Sequence, residues 1–214
     1  GIYPIVDRLD QLEMMLNAGA KILQLRIKSE QLTPEIRAQL RDAISLSRDF
    51  PECQLFINDF WQAAIEEGAT GVHLGQEDLL IADLNAIQTA GLRLGVSSHA
   101  FWEVARALSI RPSYVACGPL FPTRAKAMPW IAQGIDNLRY WVRLIPHPVI
   151  GIGGVNRQNL TAIRATGCAS ASVIQAIVGA EHPIQAFRGL QQQWDQAPVL
   201  REELPALARP TLAA

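Results

Sequence analysis

The chain has 214 residues, with 19 Lys and Arg against 20 Asp and Glu, so its formal net charge is −1. This balance argues against a nucleic-acid partner, because affinity for the phosphate backbone needs a surplus of positive charge on one face. Hydrophobic residues make up 49% of the chain and charged residues 18%, which excludes disorder and allows a large core. No apolar run reaches the roughly 18 residues of a transmembrane helix, so we expect no membrane partner.

The cysteines and the first residues bear on where the protein works. Cys53, Cys117 and Cys168 lie far apart and are odd in number, which is typical of a reducing compartment. With no signal-peptide pattern at the start, we expect a cytoplasmic protein. The chain begins inside a strand-like run without an initiator methionine, which indicates a trimmed segment or one piece of a longer protein.

Strand-like and helix-like segments alternate along nearly the whole chain. Short apolar runs rich in Val, Ile and Leu are typical of parallel strands buried on both faces. They occur at 2–6, 22–27, 54–58, 71–75, 93–97, 114–118, 148–153 and 170–174. Helical spacing predicts helices over 9–18, 34–48, 60–67, 82–89, 101–109, 136–144, 157–165 and 184–194. Helix C-terminal caps are expected at Gly19, Gly68, Gly91 and Gly167.

Eight strand–helix units within residues 1–195 predict a single (β/α)8 barrel, the TIM barrel. A doubly wound open sheet remains the alternative, because alternation of elements does not demonstrate closure. The connection over residues 119–135 is long and contains Pro, Gly and Lys, as do many loops that cover binding sites. Residues 196–214 show no clear period and are predicted to form a peripheral, flexible tail.

In such a barrel the functional residues gather at the C-terminal ends of the strands. The second predicted strand alternates polar and apolar residues, so that Gln24, Arg26 and Lys28 share one face. In a barrel this face points into the lumen and towards its mouth, although a half-solvated antiparallel strand gives the same alternation. Because buried cations need an anion, we expect an anionic ligand there.

Two aspartates follow neighbouring strands. Asp59 ends the segment FIND and Asp78 ends GVHLGQED, and adjacent strands lie about 4.8 Å apart. Paired carboxylates without Cys or His beside them favour a hard cation, Mg²⁺ where phosphates are present. Two solvated turn aspartates are the simpler interpretation, and spacing alone does not decide between them.

The seventh strand ends in a glycine-rich turn, Gly151-Ile152-Gly153-Gly154, just before a predicted helix. Glycines there let backbone N–H groups approach an anion, and loops after strands seven and eight frequently build a phosphate site in this fold. A plain tight turn is the alternative. Among the remaining candidates, His73 is expected to be an interior histidine with hydrogen-bond partners, whereas His99 and Trp130 are expected near the mouth.

Together these segments make the chain resemble the thiamine-phosphate synthase family over about residues 2–195. The shared segments occur in the family's order: QLRIK (24–28), FIND (56–59), GVHLGQED (71–78), LGVSSH (94–99), GPLFPTRAK (118–126), GIGG (151–154) and VIQAI (173–177). The resemblance implies a barrel enzyme that condenses 4-amino-2-methyl-5-hydroxymethylpyrimidine diphosphate with 4-methyl-5-(2-hydroxyethyl)thiazole phosphate and releases pyrophosphate.

The resemblance also implies roles for the matching residues. The pyrimidine diphosphate would be held by Gln24, Arg26, Lys28, Asn58, Ser97 and Lys126, with Arg26, Lys28, Ser97 and Lys126 acting in catalysis. Mg²⁺ would be held by Asp59 and Asp78. The thiazole phosphate would contact Thr123, Arg124, Ala125, Gly153, Gly154, Ile174 and Gln175. The family resemblance is compatible with a homo-oligomer or with fusion to another thiamine-biosynthesis domain.

The chain departs from the family pattern at two positions on the thiazole-phosphate side, and at Ile27, which replaces an acidic residue but should face the helices. Ala125 replaces a threonine of the family's PTxTK segment, and Gln175 replaces the serine usual after the eighth strand. A hydrogen bond to a charged group contributes about 1.5–3 kcal/mol, so we expect weakened thiazole-phosphate affinity unless Arg124 compensates.

Two other functions stay open. A thiazole tautomerase-like isomerase shares the barrel and the GIGG segment but has no need of the metal and diphosphate residues that this chain retains. A degenerate phosphate-binding barrel, or a domain fused to another thiamine enzyme, is compatible with the two departures and with the abrupt N-terminus.

Overall fold

The computed structural model describes residues 1–123 and 130–200. Its eight parallel strands form one closed barrel in chain order. They are β1 (Ile2–Val6), β2 (Ile22–Leu25), β3 (Gln54–Asn58), β4 (Gly71–Leu74), β5 (Arg93–Ser98), β6 (Tyr114–Cys117), β7 (Val149–Gly151) and β8 (Ser170–Val173). Because β8 pairs with β1 as well as with β7, the barrel closes. The TIM-barrel prediction is confirmed, and the open-sheet alternative is wrong.

The helices follow the strands as predicted. They are α1 (Leu9–Asn17), α2 (Pro34–Ser47), α3 (Trp61–Glu66), α4 (Leu84–Thr89), α5 (Phe101–Ser109), α6 (Gly134–Leu144), α7 (Leu160–Ala165), α8 (Gln175–Val178) and α9 (Pro183–Gln196). Two short elements were not predicted, α8 and a 3₁₀ turn over Asp78–Leu80. Each is about one turn long, which is too short for an apolar period to show in the sequence.

Apolar residues fill two separate layers. Between the strands and the helices lies the larger core, in which Leu12, Leu40 and Trp141 are fully buried. The barrel lumen holds an aromatic cluster in which the ring centroids of Tyr3 and Tyr114 lie 5.9 Å apart, edge to face. Gly95 faces this cluster, and any Cβ there would overlap the Tyr114 ring. The aromatic packing therefore closes the lumen beneath the cavity described below.

The C-terminal helix completes the described part of the chain. Helix α9 runs to Gln196, and beyond it the Leu200 N–H donates to the Ala165 carbonyl at 2.9 Å. Most of the predicted tail, residues 201–214, lies outside the described residues. Within residues 1–123 and 130–200, no helix has both the length and the apolar character needed to cross a membrane.

Candidate active site

A cavity of about 660 Å³ lies at the C-terminal ends of the strands. Its walls include eleven of the residues that the sequence singled out: Gln24, Arg26, Asn58, Asp59, Asp78, Ser97, Thr123, Gly153, Gly154, Ile174 and Gln175. Predicted residues Arg124, Ala125 and Lys126 lie outside the described part of the chain. The fold therefore brings segments from seven different strand ends to one place.

The prediction for the second strand holds for two of its three polar residues. Gln24 is buried in the lumen and Arg26 lines the cavity, but Lys28 is exposed and is not among the lining residues. Strand β2 ends at Leu25, so the two-residue alternation that placed Lys28 on the lumen face does not extend that far.

A buried chain of hydrogen bonds crosses the cavity floor from β2 to β5. Gln24 Nε2 donates to the Tyr3 hydroxyl at 3.3 Å, and the hydroxyls of Tyr3 and Tyr114 lie 2.8 Å apart. The Tyr114 hydroxyl contacts His73 Nδ1 at 2.7 Å, and His73 Nε2 contacts Ser97 Oγ at 2.8 Å. Two predicted substrate contacts, Gln24 and Ser97, are thus the two ends of one network.

The groups in the middle of this network are uncharged. Burial lowers the pKa of His73 to about 3, and the nearby charge of Arg26 acts in the same direction. Burial also raises the pKa of Tyr3 and of Tyr114 above that of a free tyrosine. His73 is therefore the interior histidine that the sequence predicted, and its uncharged ring contacts Ser97 through Nε2.

The two predicted metal ligands are both held by their neighbours. Asp59 has a positive φ of 64°, its N–H donates to the His73 carbonyl at 3.0 Å, and Asn58 Nδ2 donates to its carboxylate. Asp78 Oδ2 accepts from the Gly75 N–H at 2.9 Å. The described residues contain no group of three or more His, Cys, Asp or Glu able to hold a metal ion. Two carboxylates fit Mg²⁺, which usually takes its other ligands from water and substrate phosphates.

Two arginines bring positive charge to the cavity. Within the described ranges, neither Arg26 nor Arg106 forms an ion pair with a carboxylate, so both charges are available to an anion. Arg106 lies on α5 and donates to the Gln76 carbonyl at 3.3 Å. Arg106 was not predicted as a cavity residue, because a cation within an amphipathic helix is ordinarily a surface residue.

On the opposite side, the cavity wall is mainly backbone. Gly153 and Gly154 have φ values of 96° and 68°, in the region that favours glycine. A Cβ on Gly153 would lie 2.7 Å from Pro119 Cα, so this turn packs tightly against the start of the long connection. Ile174 and Gln175 complete this side where α8 begins.

At the cavity mouth, one ring stack and several hydrogen bonds connect the segments that follow β5 and β6. The rings of His99 and Trp130 stack with centroids 5.4 Å apart, which places both residues at the mouth as expected. Glu103 Oε2 accepts from the His99 N–H at 2.6 Å. Gln133 Nε2 donates to the carbonyls of Gly118 and His99, at 2.6 and 3.1 Å. The described end of the long connection is thereby joined to β5.

Comparison with known proteins agrees with this geometry. The family model for thiamine monophosphate synthase matches residues 2–177. The thiamine-phosphate synthase of Escherichia coli O9:H4 (strain HS) is 49% identical over 181 residues, which is 84% of this chain and 85% of that protein. The chain belongs to the thiamine-phosphate synthase family. It is accordingly a transferase of thiamine biosynthesis.

Two further thiamine-phosphate synthase relatives show the same breadth of similarity. The enzyme of Photorhabdus laumondii subsp. laumondii is 46% identical over 187 residues, covering 87% of this chain and 86% of that protein. The structure of thiamine phosphate pyrophosphorylase from Pyrococcus furiosus superposes with a TM-score of 0.80 at 29% identity, covering 92% of this chain and 96% of that one. The thiamine-phosphate synthase family acts on small molecules and is metal-dependent in general.

Proposed function

We propose that this chain joins 4-amino-2-methyl-5-hydroxymethylpyrimidine diphosphate to 4-methyl-5-(2-hydroxyethyl)thiazole phosphate, releasing pyrophosphate and using Mg²⁺. The observation that carries the proposal is one cavity lined by eleven of the metal, diphosphate and phosphate residues predicted from the sequence. We name two parts of it. The diphosphate half comprises Gln24, Arg26, Asn58, Asp59, Asp78 and Ser97. The thiazole half comprises Thr123, Gly153, Gly154, Ile174 and Gln175.

The reaction exchanges one bond for another. The bond between the pyrimidine methylene carbon and the diphosphate oxygen breaks, and its electron pair leaves with pyrophosphate. The lone pair of the thiazole nitrogen then forms a bond to the methylene carbon, giving thiamine phosphate. No proton has to be removed from the attacking nitrogen, so the site needs no general base. The absence of charge on His73 at working pH is compatible with this scheme.

The diphosphate half has the groups that such a departure requires. Charge accumulates on the leaving diphosphate, and fixed cations in a partly enclosed site stabilise it. Arg26 lines the cavity without a carboxylate partner among the described residues, and Asn58 and Ser97 line the same cavity. Asp59 and Asp78 would hold Mg²⁺, which when bound neutralises part of the phosphate charge.

The thiazole half has a positioning task. The cationic methylene must meet the thiazole nitrogen before it meets water, so the second substrate has to be bound close by and oriented. The Gly153–Gly154 turn offers backbone N–H groups to a phosphate at the rim. Trp130, stacked on His99, covers the mouth on the neighbouring side.

We also propose that the reaction takes place in the cytoplasm. All three cysteines are buried and unpaired, and burial raises the pKa of the Cys53 thiol to about 11, which keeps it in the unreactive protonated form. Homo-oligomerisation and fusion to another thiamine-biosynthesis domain stay predictions.

The test is pyrophosphate release measured with both substrates and Mg²⁺, and repeated with each substrate omitted. We expect release that requires both substrates and stops when EDTA is added. Release without the thiazole phosphate would mean that the diphosphate half works alone as a hydrolase. No release from folded protein would contradict the proposal and return the isomerase and binding-protein alternatives.

A further inference from the structure

The floor of the cavity contains a buried hydroxyl that has no partner. Ser172 on β8 is 4% exposed, lines the cavity, and its Oγ forms no hydrogen bond. Other buried hydroxyls in the described chain have partners: Ser47 donates to the Ile44 carbonyl and Thr166 to the Ile163 carbonyl, each at 2.7 Å, and the Ser98 hydroxyl accepts from Gln76 Nε2. Ser172 is therefore an exception that local structure does not account for.

An unpaired buried hydroxyl works against folding, because it gives up its bonds to water and receives nothing in return. An alanine at this position would fill the same strand without that loss. The hydroxyl faces a ligand cavity rather than the apolar core, so a bound ligand can supply the missing partner.

The strand register places Ser172 beneath the thiazole half. Ser172 lies beside Tyr3 of β1, and Ile174 follows two residues later, just past the end of β8. Both residues line the cavity, with Ser172 one layer deeper than Ile174. A molecule whose phosphate rests on the Gly153–Gly154 turn and on the start of α8 would have its inner atoms above Ser172.

We propose that Ser172 is a substrate-binding residue whose hydroxyl donates a hydrogen bond to the ester oxygen of the thiazole phosphate, the innermost oxygen of its phosphate-bearing arm. This inference rests on the proposed function. The arm is the suitable acceptor because a hydrogen bond to the thiazole nitrogen would occupy the lone pair that the reaction needs. Ser172 would then supply, from a deeper layer, a hydroxyl of the kind that Ala125 and Gln175 do not provide.

The experiment compares Ser172→Ala with the unmodified enzyme in steady-state pyrophosphate release and in thermal unfolding without ligands. We expect the KM for thiazole phosphate to rise about 3- to 10-fold while the KM for the pyrimidine diphosphate is unchanged. The ligand-free melting temperature should stay the same or rise by up to about 2 °C, because an unsatisfied group has been removed. A residue with a purely structural role would not raise KM while leaving stability intact.

Two further variants sharpen the result. Ser172→Cys keeps a side chain of similar size with a weak donor, so its KM for thiazole phosphate should rise in the same direction. Ser47→Ala, which removes a satisfied buried hydroxyl far from the cavity, should lower the melting temperature by about 2–4 °C and leave both KM values unchanged.

Three outcomes would overturn the inference: unchanged KM values in Ser172→Ala, a rise confined to the pyrimidine diphosphate, or a fall in melting temperature with both KM values raised. Any of them could be observed while the unmodified enzyme still releases pyrophosphate from both substrates. In that event the proposed function stands and only the role of Ser172 fails. If the unmodified enzyme releases none, the proposed function itself fails.

Discussion

The two halves of the cavity differ in whether side chains or backbone groups form their walls. In the diphosphate half the functional groups are side chains that hold one another, as Asn58 holds Asp59 and His73 holds Ser97. In the thiazole half the wall is largely backbone, formed by the glycine turn after β7 and the start of α8. Backbone contacts do not depend on side-chain identity, so this half is compatible with Gln175 at the start of α8. The diphosphate half depends on side chains, so it does not tolerate substitutions in the same way.

The largest effect is expected from the carboxylates of the diphosphate half. Asp59→Asn removes a metal-binding charge but keeps a residue that tolerates the positive φ found there, so the fold should persist. Loss of a metal ligand should lower kcat by about 100-fold or more. The control is Asp83→Asn, which still caps α4 and lies outside the cavity, and should be as active as the unmodified enzyme. Equal activity of Asp59→Asn and Asp83→Asn would contradict a role for Asp59 as a metal ligand.

The glycine turn of the thiazole half provides the next test. Gly153→Ala and Gly19→Ala impose the same backbone strain, since their φ values are 96° and 93°. Only at Gly153 does the added Cβ collide with its surroundings, 2.7 Å from Pro119 Cα, whereas nothing lies within 4 Å at Gly19. Both variants should lose about 1 kcal/mol of stability or more. Only Gly153→Ala should raise the KM for thiazole phosphate, by about 10-fold. A comparable rise in Gly19→Ala would mean that strain alone, not the site, is responsible.

Breaking the buried hydrogen-bond network beneath the diphosphate half should lower both the stability of the protein and its affinity for the pyrimidine diphosphate. Tyr114→Phe leaves the Tyr3 hydroxyl and His73 Nδ1 each without one partner, at a cost of about 1–3 kcal/mol in unfolding free energy. His73, which holds Ser97, loses the Nδ1 partner that fixes its ring, so the KM for the pyrimidine diphosphate should rise several-fold. In Tyr3→Phe the contact between Tyr114 and His73 survives, and a smaller KM change is expected in the same assay. Identical KM values in the two variants would show that the network does not orient Ser97.

The last effect concerns the pH dependence of stability. Unfolded, His73 takes up a proton near pH 6.5, but in the folded protein burial lowers its pKa to about 3. The unfolded state therefore binds more protons between these values, and the free energy of unfolding falls as the pH drops, by at most about 1.4 kcal/mol per pH unit. Denaturant titrations between pH 7 and 4 should show this slope, and His73→Gln should reduce it. An unchanged slope in the variant would place the origin of acid sensitivity elsewhere.

The sequence allowed the barrel and most of the cavity wall to be predicted, because parallel strands buried on both faces leave a strong apolar pattern and active sites lie at their C-terminal ends. Lys28 was misplaced because a period of two residues does not reveal where a strand stops. Arg106 and Ser172 were missed for another reason. Nothing in a helical arginine or a strand serine distinguishes it until the fold shows that it faces a cavity, where Arg106 has no carboxylate partner among the described residues and the Ser172 hydroxyl has no hydrogen bond.

The division of the cavity is tested most directly by titrating each substrate separately, with Mg²⁺ present, into the unmodified enzyme, Asp59→Asn and Gly153→Ala in a calorimeter. The account predicts that Asp59→Asn loses affinity for the pyrimidine diphosphate and keeps its affinity for the thiazole phosphate, while Gly153→Ala shows the reverse. If either variant weakens both substrates equally, the two halves are not separate sites and the account is contradicted.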